Sequence, residues 1–269
     1  LYTVHNLRNL IHLIQLPDAK ESEIFYDKFR FKLLLRDQDI LVPNTYDYIT
    51  EIDDFTHLKY LEEFVIKPNQ SSSGINVYLL KKIAPDTYKE IDGRIHDWTF
   101  VDGKIKNILG ISVCGGVIIE ETIHNPPEFD IFNSTKGVID LRLYMLDDKI
   151  LMGKFRIPTK KSLGYANTSR KATAMYVNSK GIITEEGMFN NTTTTHPNSD
   201  KDFEGRSLPY WEKFAETGVK VARAFDLRFH SVDLTINKKG EACCIESEAI
   251  PYLSFFTPKA CEYLMKLMD

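Results

Sequence analysis

The sequence predicts an α+β chain built on antiparallel hairpins, and three observations carry that prediction. Apolar, strand-like runs come in pairs around short polar turns, as on either side of Asp147-Asp148 and of Asn237-Lys238-Lys239-Gly240. Segments with helical spacing lie between the pairs rather than after every strand, which argues against a doubly wound parallel sheet. The 269 residues, 43% hydrophobic and 27% charged, suffice for a sizeable core and two packed subdomains, and they exclude a disordered chain.

Taken in order, the segment 27–37 places Phe29, Leu33 and Leu34 at helical spacing and stops before Leu41-Val42-Pro43. Phe64-Val65-Ile66 reads as a short buried strand, followed by a Ser/Gly loop and a second strand over 75–80. Asp102-Gly103 has the composition of a tight hairpin turn. The run 116–119 is continuously apolar, as a central strand would be. Strands over 138–145 and 149–157 flank Asp147-Asp148 as a hairpin. The polar stretch 190–207 reads as a surface loop. Pro209 then opens a helix with Trp211, Phe214, Ala215 and Ala222 on one side. A last hairpin pairs 232–236 with 242–245. No internal repeat is present, and the only low-complexity run is the threonine tract at 192–195.

Composition removes several function classes. A formal charge of -4 offers no nucleic-acid footprint. No apolar stretch approaches the roughly 18–20 residues of a membrane span. The start, Leu1-Tyr2-Thr3, lacks a secretory pattern and an initiator Met, so a trimmed N-terminus and a cytoplasmic location are expected. Cys114, Cys243, Cys244 and Cys261 form no C-x-x-C pair and are expected to be reduced packing residues, the adjacent two pointing to opposite faces. His96, His124 and His196 have no evident partners and read as surface or loop residues. Oligomeric state stays open.

Three groups of residues could carry chemistry. Lys67 ends an apolar strand just before Ser71, Ser72, Ser73 and Gly74, a context in which a lysine and backbone N–H groups can cradle a phosphate. The strand–loop–strand setting is wrong for a Walker loop. Alone, this segment reads more readily as an exposed lysine beside a hairpin turn. At the C-terminal hairpin, if Ile236 lies opposite Glu241, then Asp233 lies opposite Cys244 and shares a face with Glu246 and Glu248. Three carboxylates on one face suit a hard cation such as Mg²⁺, or else form a solvated acidic face. Between these ends lie Arg142, Lys154, Arg156, Arg170 and Lys171. Arg142 and Arg156 fall on neighbouring strands and could reach one site, as core ion pairs or as an anion clamp.

In number, order and spacing these segments resemble an ATP-grasp ligase from about Asp27 to the C-terminus. The helix from Asp27 and the segment Ile40-Leu41-Val42-Pro43-Asn44-Thr45 resemble the family's entry helix and its exit. Phe64-Val65-Ile66-Lys67-Pro68 with the serine loop is similar to the strand lysine and phosphate-covering loop. Val117-Ile118-Ile119-Glu120-Glu121-Thr122-Ile123 is similar to the adenine hinge, and Asp140-Leu141-Arg142 to the D-[IL]-R strand. Asp233 with Ile245-Glu246-Ser247-Glu248 stands in the place of the D … E-x-N triad. Phe155-Arg156-Ile157-Pro158-Thr159, Gly164-Tyr165-Ala166-Asn167, and Thr195-His196-Pro197 with Leu208-Pro209-Tyr210-Trp211 resemble the α-L-glutamate ligase-related branch.

The resemblance implies an ATP-grasp fold of two α+β subdomains with ATP between them. Residues 1–26 would be a helical remnant of a preceding region. Residues 27–123 would form the N-terminal subdomain, and 124–269 the C-terminal one. It implies that Lys28 and Lys67 contact ATP phosphates under Ser71, Ser72, Ser73 and Gly74, that Glu120, Glu121, Thr122 and Ile123 present backbone to adenine, and that Glu128 holds the ribose. Asp233, Glu246 and Glu248 would bind Mg²⁺. Arg142 would face the γ-phosphate, and Arg156 and Asn167 the acyl phosphate or substrate carboxylate. The implied reaction joins a carboxylate to an amine, small molecule or peptide, through an acyl phosphate, with glutamate or another amino acid as a candidate for addition. Two rivals stand beside it: an ATP-grasp phosphotransferase and a nucleotide-binding module without turnover. The sequence departs from the family pattern in having Glu248 where Asn is usual, in Ala249-Ile250-Pro251 at the usual "PG" end, and in the short region before Asp27.

Overall fold

The protein is described here by a computed structural model covering residues 24–268 apart from 72, 73, 133, 134, 136, 186, 187, 226, 250, 252, 254 and 255, together with His5 and Asn9. The expected N-terminal remnant 1–26 lies almost wholly outside the described residues, as do Ser72 and Ser73. No helix among the described residues is long and apolar enough to cross a membrane.

Two antiparallel sheets organise the chain. The first has strand order β1-β6-β2-β3-β4-β5, from β1 (Thr45–Ile49), β2 (Glu63–Pro68), β3 (Tyr78–Ala84), β4 (Thr87–Glu90), β5 (Ile95–Asp97) and β6 (Val117–Glu120). The second has the order β11-β10-β7-β8-β9, from β7 (Asp140–Leu146), β8 (Lys149–Ile157), β9 (Thr173–Asn178), β10 (Phe229–Ile236) and β11 (Ala242–Glu248). Among the described residues, four longer helices accompany them: α1 (Lys28–Asp37), α2 (Trp98–Leu109), α3 (Trp211–Arg223) and α4 (Pro258–Met268).

Each sheet has its own core. The first packs Phe64, Ile66, Val117 and Ile119 against Val101, Ile105 and Ile108 of α2. Those three positions recur at helical spacing, so the period of the apolar side chains overrides the turn composition of Asp102-Gly103, which lies inside α2 and not in a hairpin. Asp97 caps this helix, its side chain accepting from the Phe100 N–H at 2.9 Å. The second sheet is covered on both faces. On one face, Leu141, Leu143, Phe155, Val232 and Leu234 pack with Phe214 and Val221 of α3. There a Cβ at Gly218 would lie 2.6 Å from Leu143 Cδ1, so only glycine permits this approach of helix to sheet. On the other face, Tyr144, Met152 and Tyr176 pack with Ala260, Cys261 and Leu264 of α4.

Helix α1 shows why chain order and packing differ. Its Phe31 and Leu35 belong to the core of the second sheet, although its sequence position precedes the first. The buried face is Phe31, Lys32 and Leu35, whereas Leu33 and Leu34, expected to face inward, are 42% and 38% exposed.

Several loop expectations also change. The stretch 190–207 is folded down rather than a plain surface loop: Thr194, His196 and Phe203 are buried, and Thr195 bridges Asp202. The three histidines are likewise not idle surface groups. His96 pairs with Glu90 at 3.1 Å and stacks on Phe100, His124 pairs with Glu63 at 2.8 Å, and His196 is fully buried. All four cysteines are free and buried.

Candidate active site

A cleft opens between the two sheets, and each wall is built by backbone order already visible in the chain. On the first wall, β2 delivers Lys67 and the adjacent β6 delivers Glu120, both buried. Lys67 Nζ lies 2.7 Å from Glu120 Oε1. Lys32 of α1 pairs with the other oxygen, Glu120 Oε2. One carboxylate is thus shared by two lysines. Burial pushes Glu120 up, but the two ammonium groups outweigh it and hold the carboxyl below its usual range. Burial also lowers Lys32 to about 8, with Glu120 opposing and Lys67 assisting.

Lys28 stands at the first turn of α1, where a cation meets the positive end of the helix dipole and the turn itself holds no acidic residue beyond the cap Asp27. Local stability is served badly by this placement, and an incoming anion would be served well. Its Nζ donates to the Ser71 carbonyl and lies 3.8 Å from Glu246 across the cleft. Burial lowers its pKa; Glu246 opposes that shift and Lys67 adds to it. Asn69 fixes the base of the loop against this helix. It accepts from the Phe29 N–H at 2.9 Å and donates to Asp27 at 3.1 Å.

The tip of the same loop is held from the second wall. The Gly74 carbonyl accepts from Arg170 Nη2 at 2.6 Å. At φ +70, a Cβ on residue 74 would stand 2.7 Å from Asn167 Oδ1. The Arg170 guanidinium lies 4.0 Å over the Tyr165 ring, and Tyr165 Oη is 3.2 Å from both the Val77 carbonyl and Glu90.

The second wall is charged on a single row across the sheet. Asp233 pairs in register with Arg142 on one side and with Glu246 on the other, and Arg142 pairs with Lys154. Asp233 opposite Glu246, not Cys244, corrects the expected register. The hairpin pairs Ile236 with Ala242 rather than Glu241, and a bulge between Asp233 and Leu234 adds a second residue of offset, with Asp233, Glu246 and Glu248 still on one face of the sheet. Arg142 donates to both oxygens of Asp233 at 2.7 and 2.8 Å and to both oxygens of Glu248 at 2.8 and 2.9 Å. Arg156 donates to Asp233 at 2.7 Å and also pairs with Asp140. Glu246 is the loosest of the group, 3.9 Å from Arg142.

Four carboxylates therefore compete for two guanidinium groups. Burial pushes Asp233 up, yet Arg142 and Arg156 outweigh it and hold Asp233 well below the carboxylate range. Asp140 and Glu248 are raised, chiefly by burial, with the other carboxylates adding to the shift against their arginine partners. Among the described residues, no three His, Cys, Asp or Glu side chains are arranged around a point that would hold a metal.

Of the expected residues, Lys28, Lys67, Ser71, Gly74, Glu120, Glu121, Thr122, Ile123, Asn167, Arg156, Asp233 and Glu246 line the cleft. Glu128 does not. It is exposed on a short turn away from the cleft, so the expected ribose contact has no support in its position.

A family model described as "Sugar-transfer associated ATP-grasp" matches residues 9–261. The chain belongs to this ATP-grasp family. The α-L-glutamate ligase-related branch, which three segments resemble, is not the one matched. Solved structures agree on the fold. D-alanine–D-alanine ligase from Bacillus anthracis aligns with a TM-score of 0.51 at 16% identity, over 90% of this chain and 62% of that one. VanG D-Ala:D-Ser ligase from Enterococcus faecalis aligns at 0.54 and 15% identity, over 94% and 64%. The ATP-grasp ligase PsnB, solved with a phosphomimetic variant of its minimal precursor, Mg and ADP, aligns at 0.50 and 12% identity, over 92% and 60%. The chain thus spans 60 to 64% of these proteins' lengths, and identities this low establish the fold alone. A comparison with curated proteins finds no match.

Within the ATP-grasp frame, sequence reasoning gave Lys32, Asn69 and Tyr165 no role, and it named Arg170 among the central cations without its contact to Gly74. Lys32 had a signal: it follows Lys28 by four residues, hence one turn along the same helix face. The Arg170 contact had none, because Gly74 lies 96 residues away.

Proposed function

We propose that this ATP-grasp chain is an ATP- and Mg²⁺-dependent carboxylate–amine ligase that forms an amide or peptide bond through an acyl phosphate. The observation that carries the reading is the pairing of the two walls. Lysines under a glycine-held loop face a carboxylate–arginine row across one cleft, with the 120–123 backbone at its side. In this reading the first sheet, within 27–123, binds the nucleotide, and 124–269 supplies the reacting end.

The chemistry follows from those groups. Lys28 and Lys67 offset phosphate charge beneath the loop from Ser71 to Gly74, and Glu120, with its neighbours Glu121, Thr122 and Ile123, presents the edge that adenine would meet. A donor carboxylate attacks the γ-phosphorus of ATP, ADP leaves, and an amine then displaces phosphate from the acyl carbon. Arg156 and Asn167, both on the cleft, lie where the donor carboxylate and the developing oxyanion would need hydrogen-bond donors. Asp233, Glu246 and Glu248 form an all-oxygen donor set that fits a hard divalent ion, provided Arg142 moves off two of them. Such an ion, once bound, would offset charge on the transferring phosphoryl group. The loop, with Gly74 held by Arg170, would keep water from the acyl phosphate.

The family description points to an acceptor near sugar transfer, so amino sugars belong in the substrate panel beside amino acids, glutamate included, and peptides. A cytoplasmic site of action is part of the proposal. A second reading, nucleotide binding without turnover, is favoured by one observation: Arg142 already occupies Asp233 and Glu248. The deciding experiment measures ADP release with Mg²⁺ across paired carboxylates and amines. Release that needs both partners and falls about 100-fold or more in Lys67→Met supports the ligase. Nucleotide binding with no ADP from any pair supports the second reading.

A further inference from the structure

We infer that Arg142 is the resident cation of the carboxylate triad, and that a divalent ion enters only when a nucleoside triphosphate draws the guanidinium away. The inference rests on the ATP- and metal-dependent reading above and concerns the order in which the site fills.

The geometry is specific to this chain's residues. A guanidinium is a planar fork, and here both of its usable edges are taken: Nε and Nη2 by Asp233, Nη1 and Nη2 by Glu248, at 2.7 to 2.9 Å. The second edge needs two acceptor oxygens and a negative charge. An asparagine at 248, the residue that the family pattern would place there, offers one acceptor and no charge. Glu248 therefore completes the arginine's coordination before it serves any metal, which gives the departure at this position a physical reason.

A metal and the guanidinium make incompatible demands on the same oxygens. Mg²⁺ needs them at about 2.0–2.1 Å around a common centre. Asp233 Oδ2 already accepts from Arg142 and from Arg156, and each Glu248 oxygen accepts from Arg142. Only Glu246 stays clear of close contacts, its side chain 30% exposed.

The site can also release the arginine. Arg142 lies in register with Lys154 on the neighbouring strand, and the two cations raise the local positive potential on the row. A terminal phosphate brought to that row would attract the guanidinium. Asp233 would keep its bond to Arg156 meanwhile, so it would not be left uncompensated. Nucleotide and metal then bind with positive coupling, which linkage makes reciprocal.

The test is Mn²⁺ binding to the full chain, followed by electron paramagnetic resonance of the free ion, without nucleotide. Arg142→Met is expected to bind Mn²⁺ about 5- to 150-fold more tightly than the native chain, the range of ordinary coupling energies. Arg142→Lys, which keeps the charge but cannot span both carboxylates, should fall between. It serves as the reading should Arg142→Met fail to melt cooperatively. The native chain should carry Mn²⁺ through a desalting column with a non-hydrolysable ATP analogue and not without it. Equal Mn²⁺ affinity in native and variant chains overturns the inference, and so does retention by the native chain without nucleotide. Metal binding to none of them, with or without the analogue, overturns it together with the metal site. Ordered metal binding with no ADP release from any substrate pair leaves the inference standing and removes the ligase reading alone.

Discussion

The two walls of the cleft solve the burial of charge in opposite ways. On the first, Lys32 and Lys67 converge on a single carboxylate, Glu120. On the second, Asp140, Asp233, Glu246 and Glu248 gather round Arg142 and Arg156. Left to themselves, one wall carries surplus positive charge and the other surplus negative. In the proposed reading, a polyphosphate would meet the first and a cation the second. The chemistry of the ligand is thus written into the imbalance of each wall rather than into any one residue. The side chains differ for the same reason. Burial lowers lysine readily, while an arginine forked between carboxylates stays charged.

The comparison makes its largest demand on Glu120. Since this one anion compensates two buried lysines, Glu120→Gln should cost about 3–5 kcal/mol, as the breaking of a buried pair does. On the other wall, Asp140→Asn removes one of several carboxylates and leaves Arg156 its bond to Asp233. It should cost no more than about 1–2 kcal/mol. Urea denaturation of both variants measures the contrast. Equal losses would mean that the walls are compensated alike and that the asymmetry is one of geometry only.

How far this asymmetry could be read in the chain depends on the range of each contact. The hairpins of the second sheet were legible because turn and strands are contiguous, and so Arg142 and Arg156 were correctly placed side by side. The register of β10 on β11 was not: the turn pairs Ile236 with Ala242 rather than Glu241, and a bulge, which leaves no compositional mark, shifts the pairing by one residue more. Lys67 and Glu120 were both singled out, but their pairing joins strands separated by α2, and the side chain of Glu120 was overlooked in favour of its backbone. Helix α2 was masked by the turn-like Asp102-Gly103. Glu128 was placed by resemblance alone, and its neighbourhood does not support the role.

A smaller effect tests the lysine wall by pH. Lys32 has a folded pKa of about 8 against an ordinary 10.5. Between those values the unfolded chain holds a proton that the folded chain has released, so stability rises with pH across the window. The folded state carries its full penalty below about 8 and is relieved of it as the ammonium loses its proton. Relative to Lys32→Met, the native chain should therefore gain roughly 1–2 kcal/mol between pH 8 and 10. Tyrosines and cysteines that titrate there are common to both proteins and cancel in the difference. Denaturation midpoints at the two pH values give the result, and a parallel rise in both proteins would remove Lys32 as its source.

The smallest effect asks whether the first wall is held in place or merely charged. Asp27 caps α1 through the Arg30 N–H at 2.9 Å, and the same oxygen accepts from Asn69, whose backbone leads into the phosphate-covering loop. Its loss removes a cap worth about 1 kcal/mol. It also removes one of the bonds that tie the first turn, which carries Lys28, to the end of the strand that carries Lys67, leaving the Phe29 N–H bond to Asn69. If position matters, Asp27→Ala should weaken binding of an ATP analogue by about tenfold while shifting stability by only that 1 kcal/mol. Asp27→Asn, which still accepts from Arg30, should restore most of both. Were Asp27→Ala to lose stability and keep its affinity, Lys28 would act through its charge alone. The lysine wall would then resemble a diffuse positive surface, while the arginine wall stays fixed by its forks.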